Sequence, residues 1–151
     1  MIDPRKVRPP HIVFIFYLIA GAVHFLIKPV RLVSPVSQVL GMIMFLSGLG
    51  FMSWAYRLFV RHDTPVRHSE VPCRFVVERP YRWTRNPMYV GGIVMFSGIA
   101  LVIGSWPFLL VPAALFFILD RIYIPWEEQL LRGLFKEEYE QYLNKTRRWV
   151  W

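Results

Sequence analysis

Residues 87–119 form a run of thirty-three positions without a charged side chain, and this run constrains the fold most strongly. A bilayer core of about 30 Å is crossed by about 20 helical residues, each rising about 1.5 Å. One straight helix over the whole run would therefore extend far beyond the bilayer. Its middle contains Gly-Ser-Trp-Pro at 104–107, and glycine and proline interrupt helices while tryptophan favours the membrane interface. The sequence predicts that the run folds back there as two short helices.

Two further uncharged segments, residues 12–27 and 32–56, precede this run. With 55% hydrophobic residues and a mean hydropathy of +0.37, the 151-residue chain is too apolar for an ordinary soluble domain. No small-x-small cleavage pattern stands out after the first segment, so we expect it to be retained as a span. We predict an all-α membrane protein, a single domain over 1–151, with four transmembrane helices, the last two a short hairpin, at about 12–27, 33–56, 87–103 and 107–124.

Basic residues are distributed unevenly between the connections. Sixteen of the eighteen lysines and arginines lie before the first span, between the second and third, or after residue 119. Only Lys28 and Arg31 fall elsewhere. The positive-inside tendency therefore places the N-terminus, the C-terminus and the middle loop in the cytoplasm. The formal charge of +8 is then explained by the membrane and its anionic lipids, and nucleic acid is not an expected partner.

Metal ligands are sparse in the sequence. A single cysteine, Cys73, excludes a disulfide within the chain and a site built from several thiolates. The four histidines are widely separated, so we expect no metal. His24 lies inside the first span, where we expect it to hydrogen-bond within the helix bundle.

The segment after Pro125, "WEEQLLRGLFKEEYEQYLNK", has apolar residues at mixed spacings of three and four. This spacing predicts an amphipathic C-terminal helix that lies on the bilayer or caps the bundle. Within it, Glu128 and Arg132 are one turn apart and are predicted to pair. Pro125 permits a bend where the fourth span leaves the membrane.

Carboxylates at the end of a membrane span need cations or water. For Asp120 we expect pairing with the neighbouring Arg121 or with a loop arginine. Glu127 is a different case, because Arg85 and Asn86 open the third span on the same predicted face. Together the amide, guanidinium and carboxylate groups suit a small zwitterionic ligand.

Two motifs carry a family resemblance. "RPYRWTRNPMYVGG" at residues 79–92 is followed, after the predicted hairpin, by "EEQLLRGLFKEEYEQY" at residues 127–142. Their order and spacing resemble the C-terminal core of the isoprenylcysteine carboxyl methyltransferase family and the related phospholipid methyltransferases. That family's pattern is roughly G-x-Y-x-x-x-R-H-P-x-Y-x-G, a helical hairpin, and then E-E-x-x-L-x-x-x-F-G-x-x-Y-x-x-Y. The resemblance covers about residues 71–148, half of the chain.

The resemblance implies an enzyme that uses S-adenosylmethionine as methyl donor, held at the cytoplasmic membrane face. Carried over by position, Tyr81 packs on the cofactor, Asn86 and Tyr89 touch it, and Glu127 contacts a polar part of it. Tyrosine rings also suit a sulfonium, because they attract cations. The complete predicted cofactor-binding set, with backbone contacts from the first four residues, is Cys73, Arg74, Phe75, Val76, Tyr81, Arg85, Asn86, Tyr89 and Glu127.

The sequence also departs from the family pattern. Asn86 replaces the usual histidine, which removes a titratable imidazole, and Lys136 replaces the glycine after the phenylalanine, a local change of backbone. Tyr123 stands where isoprenylcysteine enzymes carry an arginine, and Arg121 lies two residues away on a different helix face. These two residues are the substrate candidates. Because a tyrosine offers only a neutral donor where an arginine would bind an anion, we expect a lipid amine or another uncharged apolar acceptor rather than a carboxylate.

The inferred reaction is in-line attack by a membrane-dissolved lipid or small apolar nucleophile on the methyl carbon. Positioning and desolvation would supply most of the catalysis, and no metal is needed. An amine acceptor must lose a proton, and Glu128 and Asp120 are the candidate bases. Two alternatives are an NADPH-dependent enzyme, because sterol reductases share a similar C-terminal arrangement, and a non-enzymatic membrane scaffold.

Overall fold

The computed structural model describes residues 9–28, 33–62 and 76–150, and these residues contain helices and no β-strand. In chain order the helices are α1 (Pro9–Ile27), α2 (Pro35–Arg61), α3 (Pro87–Ile103), α4 (Trp106–Ile118) and α5 (Ile124–Lys145), with a π-helical turn, Leu119–Tyr123, between the last two. Three helical stretches are long and apolar enough to span a membrane: Pro9–Ile27, Pro35–Arg61 and Trp106–Lys145. The all-α class is confirmed, whereas the count of four spans stays a prediction because α3 is a shorter apolar helix.

The connection between α3 and α4 lies within the segment where the sequence predicted a turn. Gly104 ends α3 in a left-handed conformation, with φ of 62°, and its N–H bonds to the Ala100 carbonyl. A side chain at this position would be strained, and its Cβ would also meet Val33. Ser105 precedes α4 and forms a 2.8 Å hydrogen bond with His24 of α1, which confirms the expected hydrogen bond of His24 within the bundle.

The helices pack in the order α2, α3, α4 and α1, with each contacting the next. α1 also reaches α3, because the Tyr17 hydroxyl donates to the Phe96 carbonyl over 3.1 Å. At one end of the bundle, Ile12 near the start of α1 packs with Leu119 and Tyr123 of the π-helical turn. The start of α1 and the start of α5 therefore lie at the same end, which we call the α5 end.

Helices α2 and α3 approach so closely that glycines replace side chains at their crossing. A Cβ on Gly98 would lie 2.5 Å from the Gly41 oxygen and 2.5 Å from the Phe45 nitrogen. A Cβ on Gly48 would lie 2.6 Å from the Gly91 oxygen. Backbone-to-backbone contact of this kind is how apolar helices associate where no hydrophobic effect drives them together. Gly91, in the motif at residues 79–92, therefore serves helix packing.

Alanine at these glycines should separate the two helices. We expect Gly98→Ala and Gly48→Ala each to lower the free energy of unfolding by about 1–3 kcal/mol, the usual effect of overpacking. The matched control is Gly50→Ala in the same helix, where a Cβ meets nothing within 4 Å. That change should be neutral or slightly stabilising, because alanine favours helix more than glycine does. Unfolding curves in detergent test this, and equal effects of Gly48→Ala and Gly50→Ala would contradict it.

Helix α4 continues into α5 through the π-helical turn, which ends two residues before Pro125. Proline has no N–H to donate to the carbonyl four residues earlier, so the backbone hydrogen bonds of the helix must be rearranged in the turn that precedes Pro125. The Ile124 N–H accordingly bonds to the Leu119 carbonyl, five residues back. The extra residue in this turn changes which side chains of α5 face the bundle.

The larger break in α5 lies at Lys136, where φ is 41° and ψ is −118°. Side chains disfavour this conformation and glycine tolerates it, and the family pattern has glycine at this position. The break also brings together residues eight apart, because Arg132 pairs with Glu140 over 3.1 Å. The predicted pair between Glu128 and Arg132 is therefore wrong, and Glu128 contacts Arg85 and Arg148 instead.

Replacing Lys136 by glycine should stabilise the chain. A non-glycine residue in a sparsely populated backbone region costs about 1–3 kcal/mol, and glycine returns about 0.5–1 kcal/mol of this as unfolded-state entropy. We expect Lys136→Gly to raise the free energy of unfolding by about 1 kcal/mol or more. Lys136→Ala is the control, since it removes the same charge and keeps Cβ. If both variants are equally stabilised, loss of the lysine side chain and not relief of the backbone is the cause.

Candidate functional site

The hydrogen bond between Tyr89 and Glu127 joins the two sequence motifs. Tyr89 lies in the first turn of α3 and Glu127 in the first turn of α5. The Tyr89 hydroxyl donates to Glu127 Oε1 over 2.6 Å, a short distance typical of a bond to an ionised acceptor. Since 38 residues separate the two positions, the contact exists only because α3 and α4 return the chain to the α5 end.

Tyr81 lies beside this pair in the loop before α3. Its ring is buried with Ala55 and Leu58 of α2 and with Val76. Burial raises the pKa of Tyr81 above its ordinary value, and the nearby Tyr142 and Glu127 raise it further. The hydroxyl therefore stays protonated and is a hydrogen-bond donor.

Two buried donors have no hydrogen-bond partner among the residues that the structure describes. They are the Tyr81 hydroxyl and Nε of Arg85. Another nitrogen of Arg85, Nη2, lies 3.2 Å from Glu128. A buried donor without an acceptor costs about 1–3 kcal/mol, so a ligand that offers acceptors would remove an existing penalty.

The second half of α5 packs against the loop that contains Tyr81. The Tyr142 hydroxyl donates to the Tyr81 carbonyl over 2.6 Å, which fixes the loop against α5. Tyr139 lies next to Tyr142, with ring centroids 6.1 Å apart. Burial raises the pKa of Tyr139 to about 12. Both tyrosines are thus neutral at physiological pH and contribute packing and hydrogen bonds.

Residues 146–150 after α5 form what we call the C-terminal strap. The Arg148 guanidinium bonds to both oxygens of Glu128, at 2.8 and 3.2 Å, and lies 3.5 Å from Asp120. The hydrogen bond with Glu128 raises the pKa of Arg148. The Trp149 indole N–H donates to Asp120 over 2.9 Å. Asp120 also pairs with Arg121 at 3.4 Å, so its expected neutralisation by that neighbour is confirmed.

The backbone of the strap bonds to the residues that precede α3. The Arg85 N–H donates to the Arg147 carbonyl over 2.9 Å. The Arg148 carbonyl accepts from the Thr84 hydroxyl at 2.9 Å and from the Asn86 amide at 3.0 Å. Sequence reasoning missed the strap, although Asp120 and Glu128 needed cations and Arg147 and Arg148 were available after α5. The spacing of those residues gave no indication of which arginine would pair with Asp120 and Glu128.

The structure brings together three of the predicted cofactor residues, Tyr81, Tyr89 and Glu127, and places Val76 against Tyr81. Arg85, a fourth, contacts Glu128, the residue that follows Glu127. The Asn86 side chain donates to the strap, so any further contact must use its remaining polar atoms. The other three predicted positions, Cys73, Arg74 and Phe75, lie outside the described residues.

The candidate base and substrate residues separate into different environments. Asp120 and Glu128 are both ion-paired with Arg148. Tyr123 is fully buried within the apolar cluster at the α5 end, whereas the Arg121 side chain is 78% exposed. The two substrate candidates therefore lie on different faces of the π-helical turn, as their spacing predicted.

Apolar helices of membrane-spanning length are typical of an integral membrane protein, and the polar side chains gathered at one end of the bundle form a candidate site. A family model described as Phospholipid methyltransferase matches residues 36–138, about two thirds of the chain. The chain belongs to this family, which confirms the resemblance. No curated protein and no solved structure matches the chain. The matched range includes Tyr81, Tyr89 and Glu127 and ends before the C-terminal strap.

The contact between Tyr89 and Glu127 should be measurable as a coupling free energy. Unfolding free energies of Tyr89→Phe, Glu127→Gln and the double variant form a cycle that isolates the pairwise contribution. We expect a coupling of about 1.5–3 kcal/mol, the range for hydrogen bonds to charged groups. Tyr56→Phe, which changes an exposed tyrosine, is the control and should be neutral. Additive effects of the two changes at the site would show that the bond is not formed.

Proposed function

We propose that this protein transfers a methyl group from S-adenosylmethionine to a lipid or small apolar acceptor dissolved in the membrane. Family membership supports methyl transfer with lipids as the substrate class. The single observation that carries the proposal is the Tyr89–Glu127 hydrogen bond, which joins both motifs of the family at one place. In a scaffold, the two buried donors without partners among the described residues, the Tyr81 hydroxyl and Arg85 Nε, would be an uncompensated cost.

The residues present fit the cofactor's functional groups. Its amino-acid carboxylate and adenine nitrogens are acceptors, and the Tyr81 hydroxyl and Arg85 Nε are buried donors without partners among the described residues. Its ribose hydroxyls and ammonium group are donors, which suit the carboxylate of Glu127. The rings of Tyr81 and Tyr89 near one carboxylate suit a sulfonium cation.

When bound, the cofactor supplies an electrophilic methyl group, whose bond to sulfur breaks with the electron pair left on sulfur as the acceptor's lone pair forms the new bond. The chain contributes orientation and exclusion of water. Glu127 is fixed by the Tyr89 hydroxyl, and Tyr81 is held by α2 and by Tyr142. Such fixed groups can hold the donor in one geometry at the end of the bundle.

The acceptor is more consistent with a lipid amine than with a prenylated cysteine carboxylate. Tyr123 is neutral and buried, and the charge of Arg121 lies at the exposed surface. Neither arrangement offers a fixed cation to a carboxylate. An amine must lose a proton, and Asp120 and Glu128 remain the candidate bases, although each would first have to weaken its pair with Arg148.

The proposed orientation places the α5 end and both termini in the cytoplasm. It rests on the charge asymmetry, since sixteen of eighteen basic residues fall at predicted cytoplasmic positions. In this orientation the site draws a water-soluble cofactor from the cytosol, and an apolar acceptor reaches it sideways from the bilayer. Exposed apolar side chains on α1, α2 and α4 suit such a lipid environment.

A ligand comparison separates methyl transfer from the two alternatives. A ligand that binds only the folded state raises its stability by mass action. We expect S-adenosylmethionine, but not NADPH, to raise the unfolding temperature of the purified protein. Stabilisation by NADPH alone would favour a sterol-reductase-like enzyme, and stabilisation by neither would favour a scaffold.

Methyl transfer itself should be tested with labelled S-adenosylmethionine, offering phosphatidylethanolamine in bilayers beside a farnesyl-cysteine analogue. We expect turnover of the lipid, and Glu127→Gln should weaken cofactor binding at least about tenfold, or 1.4 kcal/mol. Glu137→Gln on the exposed part of α5 is the matched control. Turnover of the analogue without the lipid would show that Tyr123 does not select the acceptor. In sealed vesicles, activity with external cofactor only when the cytoplasmic side faces inwards would overturn the orientation.

A further inference from the structure

We propose that Arg148 is a positioning residue, which sets the geometry of the Tyr89–Glu127 site by tying the start of α3 to the junction of α4 and α5. This inference rests on the proposed function and extends it to the C-terminal strap, which lies beyond the range of the family match. The family match ends at residue 138, ten residues before Arg148.

A single residue makes the connection with different parts of itself. The guanidinium of Arg148 contacts Asp120, in the π-helical turn, and Glu128, directly after the first turn of α5. Its carbonyl accepts from Thr84 and Asn86, which precede α3. Moving the start of α3 away from α5 therefore requires breaking either the side-chain bonds or the backbone bonds of Arg148.

Asp120, Glu128, Arg85 and Arg148 form a charged network, and burial of its carboxylates favours the closed arrangement. The side chains of Asp120 and Glu128 are only 20% and 14% exposed, and two carboxylates at such burial repel each other and lack water. Arg148 contacts both, and Arg85 contacts Glu128 as a second cation. Removing Arg148 leaves the two carboxylates with Arg85 and the largely exposed Arg121, so the network should open towards water.

The network and the candidate site are neighbours on both helices. Glu128 follows Glu127 directly, and Asn86 precedes Tyr89 by three residues, within one helical turn. A rotation or displacement of either first turn that releases Arg148 therefore also changes the position of the Tyr89 hydroxyl relative to the Glu127 carboxylate. Because a hydrogen bond of 2.6 Å tolerates little displacement, the strap controls the site without touching a ligand.

The test compares Arg148→Gln with Arg147→Gln, a control in the same strap. Arg147 is exposed, and its contact with the residues before α3 is made by its backbone carbonyl, which accepts from the Arg85 N–H. The substitution retains this carbonyl. Hydrogen exchange of the segment 81–90 reports the closure of the strap without any ligand. Calorimetry with S-adenosylmethionine reports the site, and KM for this cofactor is compared with kcat.

We expect Arg148→Gln to accelerate exchange in 81–90 at least about tenfold, and to weaken S-adenosylmethionine binding and raise its KM by a similar factor. Arg148→Lys retains the charge but not the two-pronged contact with Glu128, so it should recover part of the affinity. Arg147→Gln should match the parent. Parental exchange in Arg148→Gln would overturn the inference, and so would faster exchange with parental affinity, since the strap would then be merely structural.

A parent protein that does not bind S-adenosylmethionine would overturn the proposed function, and the exchange comparison would then decide the role of the strap alone. If Arg148→Gln does not fold, Trp149→Phe replaces it. This change removes the indole N–H that reaches Asp120 and keeps an aromatic ring against Phe116, whose centroid lies 4.9 Å away. Faster exchange in 81–90 and weaker cofactor binding are again expected, and parental values of both would overturn the inference.

Discussion

Three carboxylates at the end of an apolar helix bundle impose the constraint on which the site depends. Asp120, Glu127 and Glu128 lie within nine residues, where α4 passes into α5, and each needs a partner at this burial. Asp120 and Glu128 share Arg148, while Glu127 accepts the Tyr89 hydroxyl. The Tyr89 hydroxyl thus ties Glu127 to the start of α3. This division of partners connects Asp120 and Glu128 to the C-terminal strap and Glu127, which belongs to the proposed cofactor-binding set, to α3.

Glycine contacts between α2 and α3 make that division possible. The start of α3 can meet α5 only if α3 is held in a fixed register by its neighbours. Gly48 and Gly98 allow the backbones of α2 and α3 to touch, which leaves little freedom for sliding. Tyr81 then lies against α2 while Tyr89 faces α5, so the same register determines both sides of the candidate site.

Much of the fold follows from the sequence, because long uncharged runs predict membrane helices, and glycine, proline and basic residues indicate where these helices end. The helix break near Gly104, the hydrogen bond of His24 and the meeting of Tyr89 with Glu127 follow from such patterns and from the family motifs. Ion-pair partners do not, because an arginine side chain can reach many carboxylates and the choice depends on helix rotation. The pair between Glu128 and Arg132 was predicted from helical spacing, and the π-helical turn and Arg148 gave Glu128 other partners.

Helix α5 breaks at Lys136, the position where the family pattern has glycine. The family's glycine is absent, yet the backbone there still has the positive φ that glycine would tolerate best. The conformation is therefore imposed by contacts on either side, with Tyr142 bonded to the loop before α3 and Arg132 bonded to Glu140. Without the break, the second half of α5 would continue straight along the first half's axis, and Tyr142 and the strap beyond it would not return to the start of α3. A strained residue in the middle of α5 is thus what allows residues beyond the family match to reach the candidate site.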